Sequence, residues 1–271
     1  MKTLNYSLHD AFGYQYIDEG LASDLPPVVL LHGMLGDITN WTATLRALVK
    51  RHYRVLIPVL PVHKLPMKQS NVQGLVAYVR GFLSALEVDP VVLAGNSLGG
   101  QIALFYVLHY PESVSALVLS GSSGIYELEM GTSTLRRRDR DFLRERAEIT
   151  FYDPIHVTDE IVERGYRFAN DRSIALRLLK LARSVKSETV IDRLAHIEIP
   201  TQLIWGRNDR ITPPDVAELF QQRMPHAELH LIDRCGHAPM MEHPDIFNEM
   251  MLAFLHKTIR TGVLASSASA S

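Results

Sequence analysis

The amino-acid sequence predicts an α/β fold in which a mostly parallel β-sheet carries helices on both of its faces. Short, continuous apolar runs such as Val28–Leu31 recur along the chain, and such runs are typical of strands that are buried on both faces. Amphipathic helical patterns stand between these runs, and strands that alternate with helices indicate parallel pairing. Proline and glycine cluster where one pattern gives way to the next, which marks the connecting loops.

Length and composition favour one large globular domain, or a core with an insertion. The chain has 271 residues, of which 46% are hydrophobic, and this is enough to bury a sizeable core. Its formal net charge of −2 gives no sign of a nucleic-acid partner or of binding to an anionic membrane. The only cysteine, Cys235, excludes an internal disulfide and suits a reducing compartment.

Two segments bear on the location of the protein. Residues 1–20 lack the apolar core of a signal peptide, as expected of a chain that is not exported. Residues 90–111 lack Asp, Glu, Lys and Arg and are almost long enough to cross a bilayer. Because Asn96, Ser97 and Gln101 lie within them, a buried strand and helix are favoured. We therefore expect a soluble, cytoplasmic protein without a membrane partner.

In the first half of the chain, apolar runs and helical patterns alternate. A strand at residues 14–19 alternates enough to lie outside the main core, and Asn40 is placed to cap a helix that runs to Lys50. Apolar residues at helical spacing from Leu75 to Leu86 predict a second helix that packs through one face. The other strands of this half are expected at residues 28–31, 54–57, 91–94 and 116–119.

The alternation of apolar runs and helical patterns stops between residues 121 and 197, where no strand-like apolar run occurs. Helical spacing, with Thr158 as a helix start, predicts a helical cap over residues 125–190 that covers the strand ends. The arginine-rich run at residues 136–141 is interpreted as a solvated helix face. An arginine of this run that contacts a substrate carboxylate is the alternative.

After Pro200 the alternation of strands and helices resumes. Strands are expected at residues 203–205 and 229–232, and helices at residues 213–224 and 247–255. Residues 1–124 and 191–264 are therefore assigned to the core. The tail at residues 265–271 contains only alanine and serine, a composition typical of disorder.

A nucleophile elbow is predicted at residues 95–100, Gly-Asn-Ser-Leu-Gly-Gly, which follow a predicted strand and precede a helical pattern. So tight a turn leaves almost no space two residues before and two residues after its serine, and Gly95 and Gly99 meet that need. The Ser97 hydroxyl would stand at the head of a helix, where free N–H groups favour negative charge. A glycine-rich turn that only closes a buried strand is the alternative.

A serine hydroxyl needs a general base to become nucleophilic, and the usual base is a histidine that a carboxylate orients. In a parallel sheet, groups that meet at a ligand follow the carboxyl ends of strands. Asp209 and His237 each come directly after a predicted strand, and the order Ser97, Asp209, His237 is that expected after such an elbow. The three residues are therefore predicted as nucleophile, orienting acid and general base.

Other residues could fill two of these roles. His63 lies in a loop after a strand end and is the rival base, while Asp215 and Asp233 are the rival acids. Asp233 is too near His237 in sequence to approach the ring from behind. Cys235 has no second base beside it, so we interpret it as a small buried residue that packs near His237.

Acyl transfer also needs N–H donors for the oxyanion of the tetrahedral intermediate. The backbone N–H of Leu98 supplies one donor at the elbow, and the N–H of Met34 is placed to supply the other after the strand at residues 28–31. Gly33 lets the chain bend there. We interpret His32 as a histidine that braces this loop rather than as a catalyst.

On these residues, the chain resembles the α/β-hydrolase superfamily over nearly its whole length. The resemblance implies the α/β-hydrolase fold, with an eight-stranded, mostly parallel sheet, flanking helices and a helical cap, and it suggests a homodimer. The sequence contains no cluster of His, Asp and Glu at the spacing of metal ligands, so we expect no metal site. The resemblance implies no cofactor. The segments that match the nucleophile, acid and histidine blocks are His32-Gly33, residues 95–100, residues 206–209, Gly236-His237 and Glu242-His243-Pro244.

Within the superfamily, three segments resemble the meta-cleavage-product hydrolases, which cut carbon–carbon bonds in vinylogous diketone acids. They are residues 95–97, 151–154 and 205–210. The loop at residues 34–37 with Asn40-Trp41 instead resembles small bacterial carboxylesterases. Ala238 stands where the carbon–carbon hydrolases usually have tryptophan, and their carboxylate-binding arginine falls near Gly165, beside Arg164.

We therefore predict a serine hydrolase that forms an acyl-enzyme with a small carboxylic ester and uses neither metal nor cofactor. Contacts with this small-molecule substrate are predicted at Gly33, Asn96 and Arg164. A carbon–carbon hydrolase of the meta-cleavage-product type is the alternative, and a non-catalytic small-molecule receptor is the alternative from another class. Serine at position 97 excludes the aspartate nucleophile of dehalogenases and epoxide hydrolases with a similar fold.

Overall fold

One eight-stranded sheet forms the centre of the molecule. The computed structural model describes residues 6–21, 24–128, 136 and 138–260. Its strands are β1 (Leu8–Ala11), β2 (Tyr14–Glu19), β3 (Val28–Leu31), β4 (Val55–Pro58), β5 (Val91–Asn96), β6 (Val114–Ser120), β7 (Thr201–Gly206) and β8 (Ala227–Ile232). They lie in the order β1-β2-β4-β3-β5-β6-β7-β8. Among these strands, β2 pairs antiparallel with β1 and with β4, and the other pairings are parallel, which confirms the predicted mostly parallel sheet.

Helices cover both faces of the sheet, as predicted. The α-helices of the described ranges are α1 (Thr42–Lys50), α2 (Val72–Ala85), α3 (Leu98–His109), α4 (Arg140–Glu148), α5 (Asp159–Asn170), α6 (Arg172–Ser187), α7 (Pro214–Arg223), α8 (Pro239–Glu242) and α9 (Pro244–Leu255). One apolar cluster includes Phe82 of α2, Ile102 of α3 and Phe220 of α7. A second cluster includes Leu45 of α1 and Met251 of α9.

The strand β3 shows why a central strand is a continuous apolar run. Val29 and Leu31 pack in the first of these clusters, and Val28 and Leu30 pack in the second. All four side chains are fully buried, and each burial contributes about 2 kcal/mol to stability. A polar residue at any of the four positions would therefore lose its contact with water.

The strand β1 contains no apolar run, so the sequence pattern does not predict it. Its residues Leu8, His9 and Asp10 are all exposed. The strand is held by antiparallel pairing with β2, where the rings of His9 and Tyr16 stack with their centroids 5.3 Å apart. An edge strand of this kind depends on its partner and not on burial.

The entry to α1 differs from the prediction. Asp37, rather than Asn40, is the capping residue, and it caps a 3₁₀ turn (Ile38–Trp41) that precedes the helix. The Thr39 N–H donates to Asp37 Oδ1 (2.8 Å), and the Asp37 N–H donates to Asn40 Oδ1 (2.7 Å). Reciprocal bonds of this kind satisfy N–H groups that have no helical acceptor, and they place Asn40 inside the turn.

Three helices, α4–α6, occupy the segment for which the sequence predicts a helical cap. Thr158 caps α5, in agreement with the predicted helix start. Hydrogen bonds fasten the helix α6 to the start of α2 and to the segment before it. Arg177 Nε donates to Leu65 O (2.9 Å), and the Val72 N–H donates to Ser184 Oγ (2.9 Å).

Part of the predicted domain organisation falls outside the described residues. This applies to residues 1–5, 22, 23 and 261–264 of the predicted core, to residues 129–135 and 137 of the predicted cap, and to the tail at residues 265–271. Within the described ranges, no helix combines the length and the apolar character that crossing a membrane requires. The domain boundaries, the homodimer and the cytoplasmic location stay predictions.

Candidate active site

Ser97 stands at a sharp turn between β5 and α3. Its backbone has φ 56° and ψ −122°, a strained conformation of the kind that clusters at functional sites. A Cβ at position 95 would lie 2.4 Å from the carbonyl carbon of Gly99, and a Cβ at position 99 would lie 2.1 Å from Leu31 O. Neither distance leaves room for a side chain, so the turn requires both glycines, as the elbow pattern predicts.

Two neighbouring loops hold the elbow in place. The Ser97 N–H donates to Ser120 O (3.1 Å), and the Ser123 N–H donates to Ser97 O (3.2 Å). The Asn96 Nδ2 group donates to Ser120 O and to His237 O, both at 2.9 Å. Asn96 therefore ties the elbow to the loop of His237, and its amide hydrogens are not free for the substrate contact that the sequence predicts.

Asp209 and His237 form a buried hydrogen-bonded pair. The His237 Nδ1–H donates to Asp209 Oδ2 at 2.8 Å, and both side chains are almost fully buried. Asp209 Oδ1 accepts the N–H groups of Ile211 (2.8 Å) and Thr212 (3.0 Å), and the Thr212 hydroxyl donates to Oδ2 (3.0 Å). The carboxylate is thus fixed in one orientation, from which it can orient the imidazole.

The charge of Asp209 changes the basicity of His237. Burial lowers the pKa of the imidazole and is the largest single effect, but the charge and the hydrogen bond of the Asp209 carboxylate act against it. Glu127 and Glu242 act in the same direction as Asp209, so the pKa of His237 is raised above its usual value of 6.5. A raised pKa makes the neutral imidazole a stronger base toward a serine hydroxyl.

We expect activity to fall as the pH drops through the pKa of His237, which lies above the usual histidine value of 6.5. A protonated imidazole cannot accept the Ser97 proton, so activity should rise as the pH increases through the raised pKa of His237. A profile of kcat/KM from about pH 5 to about pH 9 checks this expectation. An acid limb centred below the usual pKa of histidine would contradict it.

The two predicted oxyanion donors stand at the start of α3 and in the loop after β3. Leu98 is the first residue of α3, so its N–H has no acceptor within the helix. Gly33 and Met34, in the loop after β3, line the same cavity as Ser97 and His237. The predicted oxyanion donors, the N–H groups of Leu98 and Met34, thus belong to segments that meet at this cavity.

His32 braces the loop that carries Met34, as predicted. Its Nδ1–H donates to Gly33 O (2.9 Å), and its Nε2 accepts the Leu60 N–H (3.2 Å). Burial lowers the pKa of His32 to about 4. The ring is therefore neutral at neutral pH, and the backbone uses both of its nitrogens.

The rival base and the rival acids lie elsewhere. Among the described residues that line the cavity of Ser97, His63 does not occur. Asp233 pairs with Arg207 (2.5 Å) at the surface, and Asp215 contacts the hydroxyl of an exposed tyrosine. Neither acid is hydrogen-bonded to the imidazole within the described part of the chain, which leaves Asp209 in that position.

Cys235 is buried beside the histidine loop, as the sequence predicts. Its side chain is fully buried, and burial raises the pKa of the thiol. A neutral thiol is a poor nucleophile, so this cysteine acts in packing.

One cavity of about 510 Å³ brings the elbow and the helical segment together. Ser97 and His237 line it from the core, and Leu143 of α4 and Phe168 of α5 line it from the helical segment. A mostly apolar cavity with a few charged groups is typical of a binding site for a small molecule. Among the described residues, the charged side chains of its wall are Glu127, Arg146, Arg164, Arg183 and Lys186.

Arg164 lines this cavity, but it already has an acidic partner. Its guanidinium pairs with the carboxylate of Asp37, the residue that caps the turn before α1. The pair therefore holds α5 against the loop after β3. A substrate carboxylate at Arg164, as the sequence predicts, would have to share the guanidinium with Asp37.

The structure adds residues that the motifs do not reveal. Thr212 binds Asp209, and it follows Asp209 by three residues, a spacing at which an aspartate side chain commonly binds nearby backbone N–H groups. This spacing is a local signal that identifies Thr212. Glu127, which contacts the Ser123 hydroxyl, and Arg183 have no such signal, because only the tertiary fold brings them to the cavity.

Known proteins resemble the chain in sequence and in fold. A family model described as alpha/beta hydrolase fold matches residues 26–244. A 2-hydroxy-6-oxononadienedioate/2-hydroxy-6-oxononatrienedioate hydrolase from Pseudomonas sp. is 30% identical over 248 residues, which are 84% of this chain and 87% of that protein. A 2-hydroxy-6-oxo-6-phenylhexa-2,4-dienoate hydrolase from Burkholderia cepacia is 30% identical over 250 residues, with the same two coverages.

The fold is also similar to that of solved structures. One is an α/β hydrolase enzyme from the metagenome of sediments from the lagoon of Mar Chica, Morocco. It is 32% identical with a TM-score of 0.77, and the match covers 93% of this chain and 98% of that chain.

Proposed function

The chain belongs to the α/β-hydrolase fold family and is a hydrolase, and we propose that it cleaves a carbon–carbon bond beside the ketone of a 2-hydroxy-6-oxo-dienoic acid. Relatives at 30% identity carry the names of such hydrolases. The sequence motifs favour a small carboxylic ester as the substrate. The proposal therefore reverses the order of the two predicted substrate classes.

In the proposed reaction, Ser97 Oγ adds to the ketone carbon while His237 accepts the hydroxyl proton. Asp209 stabilises the imidazolium, and the N–H groups of Leu98 and Met34 bind the oxyanion. The substrate reacts as its 2-keto tautomer, in which the proton of the 2-hydroxyl group has moved to the carbon beside the ketone, so collapse of the adduct can break the bond between that carbon and the former ketone carbon. The electron pair of this bond moves through the conjugated chain to the 2-keto oxygen, and the imidazolium gives its proton to the resulting enolate. Water, deprotonated by His237, then releases the acyl group from Ser97 as a second acid.

The charge of the cavity is the observation that carries this choice of substrate. Its wall has four basic side chains and one acidic side chain among the described residues. Basic side chains in a mostly apolar cavity bind a carboxylate better than a neutral ester, and Arg164 shares its charge with Asp37. Phe151 and Phe168 line the same wall, and they offer apolar surface to a conjugated chain.

Ester hydrolysis is the second candidate, because two features favour it. The ion pair between Arg164 and Asp37 leaves that arginine less able to bind an acid. Met34 and Leu35, from the loop that resembles carboxylesterases, line the cavity. The same serine chemistry would serve an ester.

A substrate panel tests the proposal. It contains 2-hydroxy-6-oxo-dienoates and neutral p-nitrophenyl esters with short and long acyl chains, all measured at one pH. We expect kcat/KM on the best dienoate to exceed that on the best ester by about 100-fold. A higher kcat/KM on an ester would favour the second candidate, and turnover of neither class would contradict both.

Arg183, on α6, is the basic side chain of the cavity best able to meet a substrate carboxylate, because it has no ion pair or hydrogen bond with another described residue. We expect Arg183→Gln to raise KM for a dienoate about tenfold while kcat and the KM for a neutral ester stay near wild type. Arg172→Gln, at the start of the same helix and outside the described wall of the cavity, is the matched control. Equal KM values of the two variants for the dienoate would show that Arg183 does not bind the substrate carboxylate.

A further inference from the structure

The backbone of residues 150–152, which follows α4, lies directly against the backbone of residues 236–237. We call this contact the seam. The His237 N–H donates to Thr150 O at 2.7 Å. A Cβ at Gly236 would lie 2.7 Å from Thr150 O and 2.8 Å from the nitrogen of Tyr152, so the two backbones are in direct contact. Phe151 and Tyr152, which belong to the segment that resembles the meta-cleavage-product hydrolases, form one side of this seam together with Thr150.

The carboxylate of Glu242, the last residue of α8, closes the seam. Its Oε1 accepts the Gly236 N–H at 2.9 Å, and its Oε2 accepts the Tyr152 N–H at 2.7 Å. The residue is only 9% exposed, and a buried carboxylate is tolerated only where hydrogen bonds satisfy it. Each oxygen of Glu242 is satisfied by a different segment, so the side chain holds these segments at a fixed distance.

The two segments that Glu242 joins both reach the site. On one side, Gly236 directly precedes His237 in the chain. On the other side, Thr150 and Phe151 line the cavity that contains His237. A shift at the seam would therefore move the imidazole relative to the cavity wall, where a substrate is bound.

We propose that Glu242 is a positioning residue for the hydrolysis, because its carboxylate clamps the loop of His237 to the Thr150–Tyr152 backbone and so sets the imidazole against the cavity wall. This inference rests on the proposed function. Glu242 acts through His237 and contacts neither the nucleophile nor the substrate. Glu242 matters because it holds the seam together, and it is not itself a catalytic residue.

Charge and geometry at Glu242 can be separated by two substitutions. Glu242→Gln keeps the length of the side chain but removes its charge, and its NH₂ group faces one of the two N–H donors as a second donor. Glu242→Asp keeps the charge but is one methylene shorter, so it cannot reach both N–H groups. A positioning role predicts that both variants react more slowly.

The negative charge of Glu242 also acts on the titration of His237, together with Asp209 and Glu127. Burial raises the pKa of Glu242, and three backbone N–H groups and His156 act against this effect without cancelling it. The thiol of Cys235 also faces this carboxylate. Removal of this charge destabilises the imidazolium, so Glu242→Gln should move the acid limb of activity to lower pH. Glu242→Asp should leave the acid limb in place.

The rate of reaction with a fluorophosphonate probe, measured against pH on the full chain, tests both effects. We expect a rate constant about 10- to 100-fold below wild type for each variant, because small displacements of a catalytic group have effects of this size. The acid limb should shift only in Glu242→Gln. Asp233→Asn, which removes an exposed charge from the same loop, is the matched control and should react within about twofold of wild type.

The probe separates failure of this inference from failure of the proposed function. It reacts with any activated serine, so an unreactive wild-type chain would contradict the proposed hydrolysis itself. A reactive wild type with normal rate constants in both Glu242 variants would overturn the positioning role alone. A variant that labels to a smaller extent but at the wild-type rate has lost only folded protein, which also overturns it. If Glu242→Gln does not fold, the rate constant of Glu242→Asp decides.

Discussion

Ser97→Ala should lower kcat/KM for hydrolysis by about four orders of magnitude or more, without loss of the fold. Alanine removes the only atom that attacks the substrate, and neither His237 nor Asp209 is positioned to replace it in the proposed mechanism. The turn itself should persist, because its sharpness depends on the absence of side chains at Gly95 and Gly99. Consumption of a dienoate and of an ester should fall together, while circular dichroism and the thermal midpoint stay near wild type.

The same variant decides between an enzyme and a receptor. Ser97→Ala should not react with a fluorophosphonate, whereas Ser187→Ala, an exposed serine at the end of α6, should react as wild type does. Turnover at the wild-type rate in Ser97→Ala would contradict the assignment of the nucleophile. A wild-type chain that binds a dienoate but neither turns it over nor reacts with the probe would favour the non-catalytic receptor.

The elbow and the Asp209–His237 pair could be predicted because each follows the end of a strand, and two of these strands, β5 and β7, are buried along their whole length. A strand that is covered on both faces has a continuous apolar run, as in β5 and β7. Parallel pairing then brings the residues after these runs to one edge of the sheet. The local sequence pattern and the sheet topology therefore predict the same location for these residues. In the sequence, Asp209 is distinguished from Asp215 and Asp233 only by its position relative to the strand ends and to His237.

Contacts between distant segments could not be predicted in this way. Arg164 and Asp37 are 127 positions apart, and Glu242 and Tyr152 are 90 positions apart. No period or propensity encodes such pairs, because they depend on where the helical segment packs against the core. The predicted cap at Asn40 was wrong for a local reason. Asparagine and aspartate are equally good caps, and the reciprocal bonds of the turn select the aspartate at position 37.

Asp209→Asn should lower kcat by about four orders of magnitude while the chain still folds. The amide oxygen can replace Oδ1 as the acceptor for the N–H groups of Ile211 and Thr212. Its nitrogen, however, faces His237 Nδ1 as a donor where the carboxylate is an acceptor. The imidazole must then carry its proton on Nε2, and in that tautomer it cannot accept the proton of Ser97.

The tautomer can be measured separately from the rate. Nitrogen chemical shifts of His237 should place the proton on Nδ1 in the wild type and on Nε2 in Asp209→Asn. Thr212→Val, which removes one hydroxyl donor to Asp209 Oδ2 but keeps the carboxylate, is the matched control and should lower kcat by about tenfold at most. A fall in kcat in Asp209→Asn with the proton still on Nδ1 would mean that Asp209 acts through its charge. Turnover within about tenfold of wild type would mean that another group orients the imidazole.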